Sequence, residues 1–196
     1  MRSTRIFWLL LAVFLVVDVF FILLIFWSGQ DREQTLGVAP SFALVNQAGE
    51  PFSSQSLTGK IYVADFFFTS CAGPCPVMNA NMARLQRAFP DNPDLHFVSI
   101  SVDPETDTPE RLKAYGEKLG ADFSRWNFLT GPMETIQQIA VEGFKVGSVD
   151  DPVIHSTRLI LVDREGNIRG YYSGIVEEEV ASLEAAIDNM IRGFAG

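Results

Sequence analysis

The two cysteines of this 196-residue chain stand four positions apart in Cys71-Ala72-Gly73-Pro74-Cys75-Pro76. Helical positions i and i+4 lie on one face with side chains about 5–6 Å apart, so a loop entering a helix here can bring both sulphurs together despite Gly73 and Pro74. A helix N-terminus favours the thiolate through its free N–H groups and aligned peptide dipoles. Pro76, which lacks an N–H, suits a helix start. Three chemistries fit the pair alone: a structural disulfide, a redox dithiol, or two thiolate ligands for a soft metal. A bridge this local closes only a tiny loop and constrains the unfolded chain little.

A third donor would decide in favour of metal. The chain has two histidines. His96, in Asp94-Leu95-His96-Phe97-Val98-Ser99, reads as a strand-side residue. His155 ends the polar loop Asp150-Asp151-Pro152-Val153-Ile154-His155-Ser156, just before a strong strand, where an imidazole can reach another loop across the edge of a sheet. Two thiolates and one imidazole suit Cu(I), which takes soft ligands at low coordination number; Cu(II) fits if oxygen or nitrogen atoms complete the shell. Zn(II) is compatible by ligand type, but structural zinc takes four protein ligands and three are identified.

The elements that would position these residues follow from hydrophobic patterning. Residues 61–68 are β-branched and aromatic in consecutive positions, as in a central strand covered on both faces. After the cysteines, Val77, Met78, Met82, Leu85 and Phe89 line one helical face. Residues 42–45, 95–102 and 128–131 read as further strands. Thr108-Pro109-Glu110-Arg111 starts a helix, with Thr as cap and Pro in the first turn, and 133–141 reads as another. The runs 158–162 and 168–172 flank Asp163-Arg164-Glu165-Gly166-Asn167, a hairpin signal. A last helix covers 177–191. This alternation gives a mixed sheet with helices on both sides.

Residues 6–27 are apolar except for Asp18, long enough to cross a bilayer as one helix. Asp18 costs about 2.5–3.5 kcal/mol there, which its apolar neighbours outweigh. Arg2 and Arg5 precede the span, so positive charge keeps the N-terminus cytoplasmic. The segment is long for a signal peptide and lacks a small-residue exit. The expected organisation is a cytoplasmic N-terminus at 1–5, a transmembrane anchor at 6–27 in contact with the lipid bilayer, a tether at 28–37 and one domain at 38–196. Residues 31–196 hold 13 Lys and Arg against 23 Asp and Glu, an acidic balance that argues against nucleic acid as a partner. Two cysteines allow one disulfide bond and exclude a dense disulfide framework.

From Val38 to Phe194 the chain resembles the Sco/SenC/PrrC family of copper-binding, cytochrome-oxidase assembly proteins. The resemblance is carried by Asp65-Phe66-Phe67-Phe68-Thr69-Ser70-Cys71-Ala72-Gly73-Pro74-Cys75-Pro76, by Ser99-Ile100-Ser101-Val102-Asp103-Pro104-Glu105-Thr106-Asp107-Thr108-Pro109, and by His155-Ser156-Thr157. It implies a thioredoxin-like α/β fold, with Cys71, Cys75 and His155 as metal ligands. Asp103 and Asp107 match the family's acidic pair, placed to support the site or touch a partner. The local alternatives are a turn for Asp103 and a helix cap for Asp107. The family commonly has Pro directly after the first motif cysteine, where this chain has Ala72. The resemblance further implies a bacterial inner-membrane protein, single-pass, with its C-terminal domain periplasmic. It would take copper from an upstream donor and deliver it to the copper-receiving subunit of cytochrome c oxidase. The alternative function is a thiol-disulfide reductase that keeps that subunit's cysteines reduced, with Cys71 attacking and Cys75 resolving.

Overall fold

The computed structural model describes residues 14, 17–21, 35–90, 92–147 and 156–193. The chain divides into two compact units, Met1–Gln34 and Thr35–Gly196.

The second unit is built on one eight-stranded mixed sheet. Its strands are β1 (Gly37–Val38), β2 (Ala43–Asn46), β3 (Pro51–Ser53), β4 (Ile61–Phe67), β5 (Leu95–Ser101), β6 (Trp126–Thr130), β7 (Arg158–Val162) and β8 (Asn167–Ser173). They lie in the order β1-β8-β7-β4-β5-β6-β2-β3. β4, β5 and β6 run parallel, while β7 pairs antiparallel on the other side of β4. The parallel strands require crossovers, supplied by helix α1 (Cys75–Ala88) between β4 and β5 and helix α2 (Pro109–Leu119) between β5 and β6. A short helix α3 (Met133–Gln137) continues as a π-helical turn, Gln138–Gly143, and α4 (Glu177–Arg192) closes the fold.

Every residue of β4 is buried, because both faces of the sheet are covered. Ile61, Val63 and Phe67 join α1, α2 and α4 residues such as Met78, Met82, Leu112 and Leu183 in one core. Tyr62, Ala64 and Phe66 alternate onto the opposite core, with Ile136, Ile139 and Phe144. The thioredoxin-like mixed sheet flanked by helices expected from the sequence is present. The Asp163–Asn167 turn forms as expected, with Gly166 at φ 81° and the Asp163 carboxylate accepting from the N–H groups of Glu165 and Asn167. Thr108 caps α2 through its hydroxyl. On α1, Met78, Met82 and Leu85 are buried as expected, but Val77 is 52% exposed. The two-residue β1 and three-residue β3 were too short to show a periodicity.

The anchor expectation requires correction. Among the described residues no helix is long and apolar enough to cross a membrane. Within 6–27 only residue 14 and residues 17–21 are described, and they are helical; the rest of the expected span lies outside the described residues. The transmembrane helix, the lipid-bilayer partner and the single-pass inner-membrane placement derived from it are therefore not retained.

Candidate dithiol site

β4 delivers its chain to the carboxyl edge of the parallel strands, the edge where open α/β sheets place their ligand-binding loops. The backbone leaves the sheet after Phe67, whose carbonyl accepts from Val102 N–H at 2.9 Å. Cys71 N–H closes a local turn onto the Phe68 carbonyl at 3.3 Å. Helix α1 then begins at Cys75 itself, with Pro74 as its cap and Val77 and Met78 both donating to the Pro74 carbonyl at 3.1 Å. Cys71 is half-buried in the loop, and Cys75 is buried in the first helical turn.

Both cysteines are free, so the disulfide bond anticipated from the sequence is not formed. The two thiols instead interact with each other, which makes them chemically unequal. Burial alone would raise the Cys71 thiol, but bonds from the Cys75 thiol and from the N–H groups of Cys75 and Gly73 outweigh it and hold Cys71 below the ordinary thiol range. Cys75 is pushed up to about 12, first by burial and then by donating to Cys71, with the negative charges of Cys71 and Asp65 adding to the shift. Cys71 is thus the thiol poised to act as thiolate, and Cys75 the one that keeps its proton.

Three polar side chains near the pair, Asp65, Asn79 and Tyr115, have roles that the sequence pattern does not assign. Asp65, fully buried in β4, accepts the Ser99 hydroxyl from the facing residue of β5 at 2.5 Å, and Trp126 Nε1 donates to the same hydroxyl at 2.9 Å. Its other carboxyl oxygen has no hydrogen-bond partner. Burial raises the Asp65 carboxyl to about 7, an effect the Ser99 bond only partly offsets. One turn into α1, Asn79 donates from its amide to the Tyr115 hydroxyl at 2.9 Å. Tyr115 is raised by burial, with Asp65, Cys75 and Cys71 all contributing to its electrostatic environment. The available sequence signal was the single acid inside an otherwise apolar strand.

Asp107 is fully buried and takes no part in capping α2. Its carboxylate accepts the Thr69 N–H at 3.0 Å, the Thr69 hydroxyl at 2.5 Å and the Ser101 hydroxyl at 2.6 Å. Asp103 shapes the turn that precedes it: its carbonyl accepts from Thr106 and Asp107 N–H groups, and its own N–H donates to the Ser101 hydroxyl.

The expected copper-chaperone function requires a second correction. Among the described residues no group of three or more His, Cys, Asp or Glu side chains is arranged to hold a metal ion, and His155 with its approach loop lies outside them. The membrane-anchored chaperone that binds copper through two cysteines and one histidine and passes it to the oxidase does not stand in that form. Nor does its alternative, a reductase assigned to the oxidase's copper-receiving cysteines. What the donor chemistry does fit is a soft metal at two adjacent sulphurs, one of them readily ionised.

A mixed sheet with a Cys-x-x-x-Cys pair at the start of the helix after its central strand defines a thioredoxin-like dithiol protein. The SCO1/SenC family model matches residues 30–192, and the chain belongs to that family. A SCO1 protein homolog of Bacillus subtilis (strain 168) is 36% identical over 169 residues, covering 82% of this chain and 87% of the relative. The structure of BsSco, described with a disulfide switch and as a member of the Sco family of cytochrome c oxidase assembly proteins, superposes with a TM-score of 0.70 at 33% identity. It covers 80% of this chain and 95% of that one. Copper-bound ScoI of Bradyrhizobium japonicum gives a TM-score of 0.60 at 26% identity, over 76% and 98% of the two chains. The fold family can therefore bind copper, and membership points to redox or metal handling.

Proposed function

We propose that this chain acts in cytochrome c oxidase assembly as a redox-active dithiol that also handles copper. The observation that carries the proposal is the free cysteine pair at the carboxyl edge of the sheet, with Cys71 half-buried in the loop and Cys75 buried in the first turn of α1; the shifts of Cys71 below and Cys75 above the ordinary thiol range support it. In thiol exchange the Cys71 thiolate attacks one sulphur of a partner disulfide, forming a mixed disulfide and releasing one partner thiolate. Cys75 then gives up its proton and attacks the Cys71 sulphur, which forms the Cys71–Cys75 disulfide and releases the second partner thiolate. Two electrons pass from the dithiol to the partner.

Copper handling uses the same sulphurs, which as thiolates supply the soft ligands that Cu(I) prefers. His155 is proposed as a third donor on the chemistry of its imidazole. The relatives support an assembly role, since BsSco is described as belonging to the oxidase assembly proteins and the Bradyrhizobium structure holds copper.

The test is an anaerobic Cu(I) titration of the reduced chain against a colorimetric competitor, run beside Cys71→Ser, Cys75→Ser and His155→Ala. One ion retained by the parent and lost from either cysteine variant supports copper handling. Retention that is identical in all four proteins would refute it, and equal retention by the parent and His155→Ala alone would remove the histidine from the site.

A further inference from the structure

The segment between the end of β4 and the start of α1 carries the chemistry, and Thr69 lies two residues before Cys71. Thr69 is held from the neighbouring loop by two bonds to one buried carboxylate: its N–H reaches Asp107 Oδ2 at 3.0 Å and its hydroxyl reaches Oδ1 at 2.5 Å. Asp107 is itself fixed by the Ser101 hydroxyl at the end of β5 and lies 3.6 Å from Arg111 Nε. Arg111 also donates from Nε to the Thr69 hydroxyl at 2.7 Å, so that hydroxyl is held from both sides. Two loops, 38 residues apart at the clamp, are thus joined at the mouth of the site.

We propose that Asp107 is the positioning residue of the dithiol, acting through Thr69 to set how the loop presents Cys71 to Cys75. This deepens the redox reading and rests on it. A carboxylate accepting three hydrogen bonds inside the protein is stiff, because leaving any of those donors unpaired in a buried setting is costly. The loop beyond Thr69 contains Gly73 and has exposed residues at Ala72 and Gly73, so its path depends on how its first residues are anchored. Without the anchor the sulphurs sample wider separations and interact less of the time.

The experiment compares Thr69→Val, Thr69→Ser and Asp107→Asn with the parent, using thionitrobenzoate release from dithiobis(nitrobenzoate) at one pH and the equilibrium constant of the Cys71–Cys75 disulfide against glutathione. Valine keeps the shape and the backbone N–H of Thr69 but removes the hydroxyl. Serine restores the hydroxyl. Thr69→Val and Asp107→Asn should each slow release by about tenfold, the scale of one hydrogen bond to a charged group, and shift the disulfide equilibrium. Thr69→Ser should stay within about twofold, and the double variant Thr69→Val/Asp107→Asn should be no slower than the worse single one, as expected for coupled residues. If the parent exchanges but Thr69→Val and Asp107→Asn match it in rate and equilibrium, the clamp is structural only and the inference is overturned. A parent that releases no thionitrobenzoate overturns the redox reading and the inference with it.

Discussion

The Asp65 carboxyl accepts the Ser99 hydroxyl at 2.5 Å across the β4–β5 pair, while its second oxygen is buried without a hydrogen-bond partner. An ionised carboxylate in that setting is poorly compensated. Its value is raised from 3.8 to about 7, so between those values the folded chain keeps a proton that the unfolded chain has released. The Asp65 contribution to stability is full below about 3.8 and is lost as pH rises through about 7. The parent should therefore melt at a lower temperature at pH 8 than at pH 5, and Asp65→Asn should flatten that difference by about 4 °C or more. Parallel melting curves for the two proteins across this range would show that Asp65 ionises without cost.

Cys71 owes part of its low value to the thiol of Cys75. At pH 7, iodoacetamide should label Cys71 before Cys75, as read by mass spectrometry of the digested protein. Cys75→Ala removes the thiol donor, so the pH midpoint of Cys71 alkylation should move upward and its rate at pH 7 should fall several-fold. Equal labelling of both residues in the parent would contradict the asymmetry.

Gly116 sits where α2 crosses the aromatic cluster beside Tyr115. A Cβ there would approach Phe123 Cε1 to 2.7 Å and Phe128 Cε2 to 2.8 Å. Phe128 is fully buried and packs against Phe67, Trp126 and Tyr115, so the rings have little room to yield. Gly116→Ala should destabilise the fold by about 1–3 kcal/mol in urea unfolding. The better helix propensity of alanine, about 1 kcal/mol, offsets only part of this clash. An unchanged or raised midpoint would mean that Phe123 moves aside freely.

Much of this arrangement is legible in the sequence because it repeats at a fixed period or sits within one turn. β4 announces itself by an apolar run interrupted only by Asp65, α1 by Met78, Met82 and Leu85, and the β7–β8 hairpin by its Asp-to-Asn turn. The cysteines mark the site by spacing alone, and the motifs around them place the chain in its family. The clamp is different: Thr69 and Asp107 meet only because β4 and β5 are adjacent and both loops leave at the same edge, and no local pattern encodes that adjacency. Asp107 looked like a helix cap because it precedes Thr108, yet the cap is Thr108 and the carboxylate turns inward. Asp65 has the signature of an error in a strand, and only the facing Ser99 explains how it is accommodated. The expected anchor failed for another reason: apolar composition at 6–27 states that a helix could cross a bilayer, whereas no described helix is long and apolar enough to do so.

The most direct measurement of the central claim is the redox equilibrium of the pair. The reduced chain is equilibrated across a series of glutathione ratios, quenched in acid, alkylated and weighed by mass spectrometry. Cys71 and Cys75 should lose their thiols together in one two-electron transition, and Cys71→Ser or Cys75→Ser should abolish it. Thiols that persist through the whole series, or that become glutathionylated independently of one another, would contradict a working dithiol.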